Sequence, residues 1–310
     1  MADVNVLTTN AFNAYDVPQY YDDLFLERAK LMLKYENLFV FKTIPENTGK
    51  TVFWDRMKPR AITGAALTEA TNGESVASSS EQVSAIVSEK GSWEKISSLY
   101  SLTAFSTAMK ERVEVMGQHA GEEIDTLQRD ALYAGATVQL ANSKPHASSI
   151  ASTDTMSVVE VRKAVKQLKR NKAPLWEDGF YKGVFSLSGI SDLQGDTNQG
   201  NFVTANQYKT PEKIKDGEVG KIAGAVIFET NNEKVETSYS NVYSNFIGGK
   251  EAMATVDIAG KGTQLYNKKP GKNSTDNPLE MFSTLGWKVP AFATATLNAN
   301  WIINIKTYGV

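Results

Sequence analysis

Hydrophobic positions along the chain change period several times, and each change marks a new element. Between Thr103 and Ala134, residues Phe105, Met109, Val113, Met116, Ala120, Ile124, Leu127, Ala131 and Ala134 recur at steps of three or four. Lys110, Glu111, Glu114, Glu122, Glu123, Arg129 and Asp130 fill the other side. That period predicts one long amphipathic helix, and Gly135 supplies a stop. At 1.5 Å per residue it is about 45 Å long, a length that suits the spine of a plate-like subunit. A second helix is predicted over Val158 to Lys169, with Val158, Val161, Val165 and Leu168 as its apolar face. Ser157 and Glu160 have capping-box spacing, with Met156 and Val161 as the hydrophobic staple; Pro174 ends the element. A looser pattern, Tyr20, Leu24, Ala29, Leu31 and Leu33, predicts a short helix over Gln19 to Glu36, with Asp22, Asp23, Glu27, Arg28 and Lys30 toward solvent.

Other stretches alternate at period two. Thr51 to Met57 is rich in β-branched and aromatic residues and reads as a strand stopped by Pro59. Ala61 to Ser80 is dominated by Ala, Thr, Gly, Ser and Glu and cannot bury much apolar surface. Gln82 to Ser98 is extended again, with Val83, Ala85 and Val87 alternating and Gly91 marking a bulge or bend before Trp93 and Ile96. Two long strands with a soft tip make an extended hairpin, which is unstable in isolation and needs a surface to lie on. Farther on, Tyr181 to Leu187, Ala223 to Glu229, Val242 to Ile247 and Ala252 to Ile258 read as strands, while Asp192 to Gln207 and Lys268 to Pro278 read as loops. Phe292 to Leu297 and Trp301, Ile303 and Ile305 read as two strands paired across a turn at Asn298 to Asn300. Met1 to Pro18 is polar and aperiodic and reads as an arm. No internal repeat is visible.

Composition narrows the function classes. The chain has 310 residues, 34.0 kDa, enough for one large domain or two intimate subdomains. With 41% apolar and 22% charged residues it can form a real core. The net charge of −2 argues against a free-standing nucleic-acid binder, so any DNA contact is expected to be local. No cysteine is present, which excludes disulfides, thiolate metal sites and cysteine nucleophiles. Met1 to Asp16 lacks a basic region followed by an apolar stretch, so no secretory signal is expected. Ile222 to Phe228 and Leu38 to Phe41 fall far short of the roughly 18 apolar residues of a membrane span.

Candidate chemistry is sparse. Gly49-Lys50-Thr51 resembles the end of a phosphate-binding loop, but Ile44 stands where that motif needs its first glycine. His119 sits on the long helix with Glu123, not a second histidine, at i+4, and His146 follows Pro145 in a polar loop. Glu122 and Glu123 point about 100° apart on a helix and make no catalytic pair. No Gly-x-Ser-x-Gly elbow occurs, and Asn273-Ser274-Thr275 is a glycosylation sequon without a secretory route. The reading is therefore of a chain with no catalytic, cofactor or metal residues. One charge cluster remains. From Ser157 to Lys172 there are six basic residues, Arg162, Lys163, Lys166, Lys169, Arg170 and Lys172, against Glu160 alone. A solvated face is the default; a salt-bridge surface for a neighbouring subunit and a phosphate contact are the alternatives.

The order of elements, polar arm, soft-tipped hairpin, spine helix, mixed α/β middle and closing strands, resembles the Hong Kong 97 fold of tailed-bacteriophage capsid proteins. Local phrases resemble the capsid family typified by coliphage N-four. They are Tyr21 to Lys30 for its N-terminal helix, Ile44-Pro-x-Asn-x-Gly-Lys-Thr51 for the way into the extended loop, Leu67-Thr-Glu69 for the loop tip, and Asp125-Thr-Leu-x-Arg-Asp-x-Leu132 with Ala134-Gly135 for the end of the spine. Val161 to Asn171 resembles its second helix, and Gly217 to Gly224 and Ser283 to Lys288 resemble its later signatures. The phrases fall in order from Tyr21 toward Val310. Ser186 to Asn206 departs: it is rich in Gly, Ser, Asn and Asp where the family has a proline-containing, helical stretch.

The resemblance implies an α+β fold divided into an N-terminal arm and short helix (1–46), an extended loop (47–98), a peripheral domain with the spine (99–154 and 284–310) and an axial domain (155–283). It implies a non-enzymatic major capsid protein that self-assembles into hexamers and pentamers. These close an icosahedral head around double-stranded DNA, first as a precursor shell whose arm and hairpin are repositioned on maturation. The implied partners are copies of itself, a portal, scaffolding and decoration proteins, and packaged DNA by weak non-specific contact. No cofactor or membrane is implied. The implied location is the virion, after assembly in the bacterial cytoplasm. An encapsulin-like compartment shell is the alternative on the same fold. The hairpin is expected to lie on a neighbour, burying Phe53, Trp54 and Trp93, with Arg56 and Arg60 pairing acids next door and Leu67 and Glu69 at the tip.

Overall fold

The computed structural model describes residues 16–45, 49–58, 69, 77–103, 108–196, 203–204, 218–236, 241–258, 262–268, 279 and 281–309. The expected arm up to residue 15 and most of the stretch Ala61 to Ser80 lie outside these residues. The helices are α1 (Asp16–Met32), α2 (Ser98–Thr103), α3 (Ala108–Gly135), α4 (Val158–Arg170) and α5 (Leu187–Gly195). The strands are β1 (Phe39–Ile44), β2 (Thr51–Met57), β3 (Ser80–Ile86), β4 (Ser88–Ser97), β5 (Thr137–Leu140), β6 (Tyr181–Ser186), β7 (Val203–Thr204), β8 (Glu218–Ile222), β9 (Ala225–Thr230), β10 (Lys234–Glu236), β11 (Val242–Gly248), β12 (Met253–Ile258), β13 (Gln264–Lys268), β14 (Phe282–Phe292), β15 (Thr294–Thr296) and β16 (Ile302–Tyr308).

The spine α3 carries Val113, Met116, Ala120 and Ile124 inward, but its buried stripe ends on Leu132, while Ala134 is exposed. Helix α1 lies against it in a groove made by two glycines one turn apart. A Cβ on Gly117 would stand 2.6 Å from the Phe25 carbonyl oxygen, and one on Gly121 2.5 Å from that of Ala29. Phe25 and Ala29, four apart, are thus the buried face of α1, and Leu31, expected inside, is half exposed. Arg28 and Glu114 pair at 3.1 Å across the rim. The sheet β13–β14–β4 also packs on the spine, with Ile96, Leu285, Trp287 and Val289 joining Phe25, Val113 and Ala120 in one cluster. Gly91 makes no bulge: it sits in regular pairing opposite Lys288, where a Cβ would meet the Trp287 carbonyl at 2.6 Å. The break in the run falls at Val87 instead.

The second layer system is an eight-stranded mixed sheet, β5–β16–β11–β6–β9–β8–β7, with β10 joined to β11. One face is covered by α4 and α5 through Val161, Val165, Leu168, Ile190 and Leu193, packed on Ile227, Ile247, Ile303 and Ile305. The other face receives Tyr35, Leu38, Phe39 and Leu132 against Val184, Phe228 and Phe246. Helix α5 occupies part of the expected loop from Asp192: the Ser186 hydroxyl caps it by accepting from Gly189 N–H at 3.1 Å, and Ile190 and Leu193 supply its apolar pair. Strand β13 covers a stretch for which no element was predicted and ends at Lys268, where the expected loop begins.

Three other expectations need correction. Ser157 makes no side-chain cap; Asp196 accepts from Val158 N–H at 3.1 Å, and Glu160 is buried, bound to Gln139, Asn142 N–H and Lys163. Met156 and Val161 do meet in the same core. The closing strands do not pair with each other: β15 pairs with β12, and β16 lies between β11 and β5. The two short sequences feed different sheets because the turn at Ala299–Trp301 carries the chain from one to the other.

Asp125, fully buried on the spine, ties the parts together. It accepts from Lys34 and Tyr35 N–H at 2.7 and 2.9 Å and from Asn232 Nδ2 at 3.0 Å. Burial pushes its carboxyl upward, opposed by those three donors. The Gly117–Gly121 groove gives a sharp test. Helix propensity alone makes Gly121→Ala stabilising by about 1 kcal/mol, but the backbone contact makes it overpacked, costing about 1–3 kcal/mol. Urea denaturation of Gly121→Ala is expected to show a net loss; a net gain would mean that α1 does not sit in the groove.

Candidate assembly interface

Strands β2 and β3 pair antiparallel from Thr51 opposite Ile86 to Met57 opposite Ser80. The two-residue period of a strand sends alternate side chains to opposite faces. Val52, Trp54 and Arg56 therefore share one face with Ala85, Val83 and Glu81, and Thr51, Phe53, Asp55 and Met57 share the other with Ile86, Ser84, Gln82 and Ser80.

The first face is turned onto the chain itself. Val52 and Trp54 are buried against Ala254, Val256, Ala293 and Ala295 of the β1–β12–β15 sheet, with Val83, Ala85 and Val87 packed around them. The expectation that this ribbon lacks support within its own subunit is thus overturned for its paired part, and Trp54 belongs to the subunit's own core. Arg56 is also used internally: it bonds Glu81 at 2.7 Å and lies 5.7 Å over the Trp301 ring. Those Arg56 hydrogen bonds, with the Lys58 charge, hold the Glu81 carboxyl below its ordinary range. Trp54 Nε1 and Arg56 Nε and Nη1 are buried without a hydrogen-bond partner.

The second face is open. Phe53 is 46% exposed, Met57 69% and Ile86 74%. Phe53 and Ile86 are diagonal neighbours, and Met57 lies beyond the Gln82–Asp55 pair, bonded at 2.8 Å, so one polar pair interrupts the apolar stripe. Met57 and Ile86 are absent from the sequence-based candidates, yet strand parity alone would have found them: a face that includes Phe53 excludes Trp54 and includes Met57. Trp93 is likewise open, 62% exposed on the outer side of β4, with Lys95 5.5 Å above its ring. It stands over Gly286, where a Cβ would come within 2.6 Å of the Trp93 Cβ. The hairpin and the Trp93 sheet are separate sheets. Glu69 is exposed; Arg60 and Leu67 lie outside the described residues.

Of the basic candidates, Arg162, Lys163, Lys166, Lys169 and Arg170 all project from the outer side of α4. His119 accepts a hydrogen bond from Trp287 Nε1 at 3.2 Å and lies 3.9 Å from Glu123. Among the described residues no three His, Asp or Glu side chains form a group able to hold a metal, and no helix is long and apolar enough to cross a membrane.

The fold is that of capsid subunits. The chain is similar to the capsid of Ralstonia phage GP4, at 15% identity over 88% of this chain and 87% of that one, with a TM-score of 0.70. It is similar to the capsid of cyanophage Pam1 at 12% identity over 100% and 99% of the two chains, TM-score 0.63. A virus-like particle from Pyrococcus furiosus matches at 9% identity over 94% and 99%, TM-score 0.53. No protein-family model matches the chain, and no curated protein sequence does. At such identities the likeness is one of architecture: the chain has the Hong Kong 97-like capsid fold, α+β.

The neighbouring residues Phe53 and Trp54 make the division of the hairpin testable. Trp54→Ala is expected to cost the isolated subunit about 3–5 kcal/mol by removing a buried aromatic. Phe53→Ala is expected to stay within about 0.5 kcal/mol, as a surface change. Chemical denaturation of both variants reads this directly, and equal losses would contradict the assignment of faces.

Proposed function

We propose that this chain is the major capsid protein of a tailed bacteriophage, assembling into hexamers and pentamers that close an icosahedral head around double-stranded DNA. The observation that carries the reading is the hairpin. Its inner face is anchored on the subunit, while its outer face presents Phe53, Met57 and Ile86 to solvent. An exposed apolar stripe on a ribbon is an interaction site, and a fold shared end to end with phage capsids makes copies of the chain its occupant. The seven ordered phrases between Tyr21 and Lys288 favour the coliphage N-four-like group within that class.

On this reading residues 1–46 form the arm with its helix, 47–98 the extended loop, 99–154 with β14 and β15 the peripheral domain, and 155–283 the axial domain. Strand β16 is better placed with the axial sheet, where it pairs with β11, than with the spine. The subunit resides in the virion after assembly in the host cytoplasm. A portal, scaffolding and decoration proteins, and packaged DNA are its further partners, and its role is structural, not enzymatic. The encapsulin-like alternative is less favoured, because the likenesses at TM-scores of 0.70 and 0.63 are to phage capsids.

Replacing residues 59–78 by a two-residue Asn-Gly turn between Lys58 and Ser79 tests the assembly role. The register of β2 and β3 can be closed by a two-residue loop of this type, so the subunit is expected to stay folded while closed shells in negative-stain micrographs become rare. Shells formed at the normal yield would contradict the loop's role in assembly.

A further inference from the structure

We propose that the exposed face of α4 is a contact surface for the phosphate backbone of double-stranded DNA, and that this side of the eight-stranded sheet is turned to the inside of the shell. The inward placement rests on the capsid reading; the DNA contact does not.

The argument starts from where the charges of α4 go. Its one acid, Glu160, is 2% exposed, and its carboxylate is taken up by Gln139, Asn142 N–H and Lys163. The surface is left with cations alone. Arg162, Lys166, Lys169 and Arg170 are exposed, and the rise from Arg162 to Arg170 is about 12 Å. DNA carries one charge per about 1.7 Å of its axis, so a length of duplex equal to this stripe holds about seven phosphates on its two strands together. Lys169 and Arg170 also complement the negative end of the helix dipole. That explanation does not reach Arg162 and Lys166, which stand in the second and third turns. Among the described residues, Lys166, Lys169 and Arg170 make no ion pair within the chain.

The shape agrees with the charge. Arg162, Lys166 and Lys169 rim a shallow depression of about 420 Å³ floored by Val165 and Ala223. Ala223 and Gly224 take positive φ, +50° and +89°, in the tight turn from β8 to β9, which brings that turn to the rim of the helix. A protein counter-surface is a poorer fit, because interfaces bury an apolar centre and Val165 is already only 3% exposed. A whole chain with a net charge of −2 also has no general affinity for DNA, so the binding must be confined to such a patch.

Fluorescence anisotropy of a short labelled duplex with the full-length chain below its assembly concentration tests this. The variant combines Arg162→Gln, Lys166→Gln, Lys169→Gln and Arg170→Gln; if it fails to fold, Lys166→Gln with Lys169→Gln gives the same readout. The affinity at low salt is expected to fall at least about tenfold, and the slope of log K against log salt to become shallower by about 0.9 per cation removed. Unchanged affinity and slope would overturn the proposal. So would loss of shell closure with DNA affinity unchanged, which would assign α4 to a contact between subunits. Preformed closed shells that bind external duplex as tightly as free subunits would overturn the inward placement. Loss of DNA affinity in the variant, from a parent chain that forms no shells, would uphold the DNA surface and defeat the capsid reading.

Discussion

A ribbon that must choose a face for each side chain sets the terms for the rest of this molecule. The pairing of β2 with β3 obliges Trp54 and Phe53 to point in opposite directions. Trp54 and Val52 anchor the ribbon on Ala254, Val256 and Ala295. The same register then leaves Phe53, Met57 and Ile86 on the outer face, 46%, 69% and 74% exposed. One register thus both attaches the hairpin to its subunit and exposes the apolar stripe through which copies would join. A slip by one residue would exchange the two faces and remove both functions together.

The frame beneath the ribbon is correspondingly rigid. The spine α3 shares one core with α1, seated on Gly117 and Gly121, and with the β13–β14–β4 sheet. Its far end reaches the eight-stranded sheet, where Asp125 binds the backbone leaving α1 and the side chain of Asn232. A buried carboxylate held by three donors costs little while all three remain, and much when any is lost. Together with Thr126 and Arg129, which also bind Asn232, Asp125 couples α1, the spine and the axial sheet.

Much of this was legible in the sequence wherever one periodicity runs uninterrupted. The apolar face of α4 is the one read from Val158, Val161, Val165 and Leu168, and β2 runs over the residues expected. Misreadings cluster where a distant partner decides. Asp196 caps α4 where local spacing pointed to Ser157, and Glu160 is drawn inward by Gln139 and Asn142. Gly91 looked like a bulge because glycine within a strand has two meanings, and close approach to β14 proved to be the relevant one. For the candidate interface the residue types were right but the faces were mixed: Phe53 and Trp54 were placed together although adjacent strand residues cannot share a face. The support of the hairpin by its own subunit was not legible, since it comes from strands some two hundred residues farther along.

The central claim is that the outer stripe of the hairpin is covered by another copy of the chain. Cryo-electron microscopy of particles assembled from the full-length protein tests it most directly. The account predicts a closed icosahedral lattice in which Phe53, Met57 and Ile86 lie against a neighbouring subunit while Trp54 stays in its own core. A lattice with that stripe open to solvent, or a solitary subunit at every concentration, would contradict it.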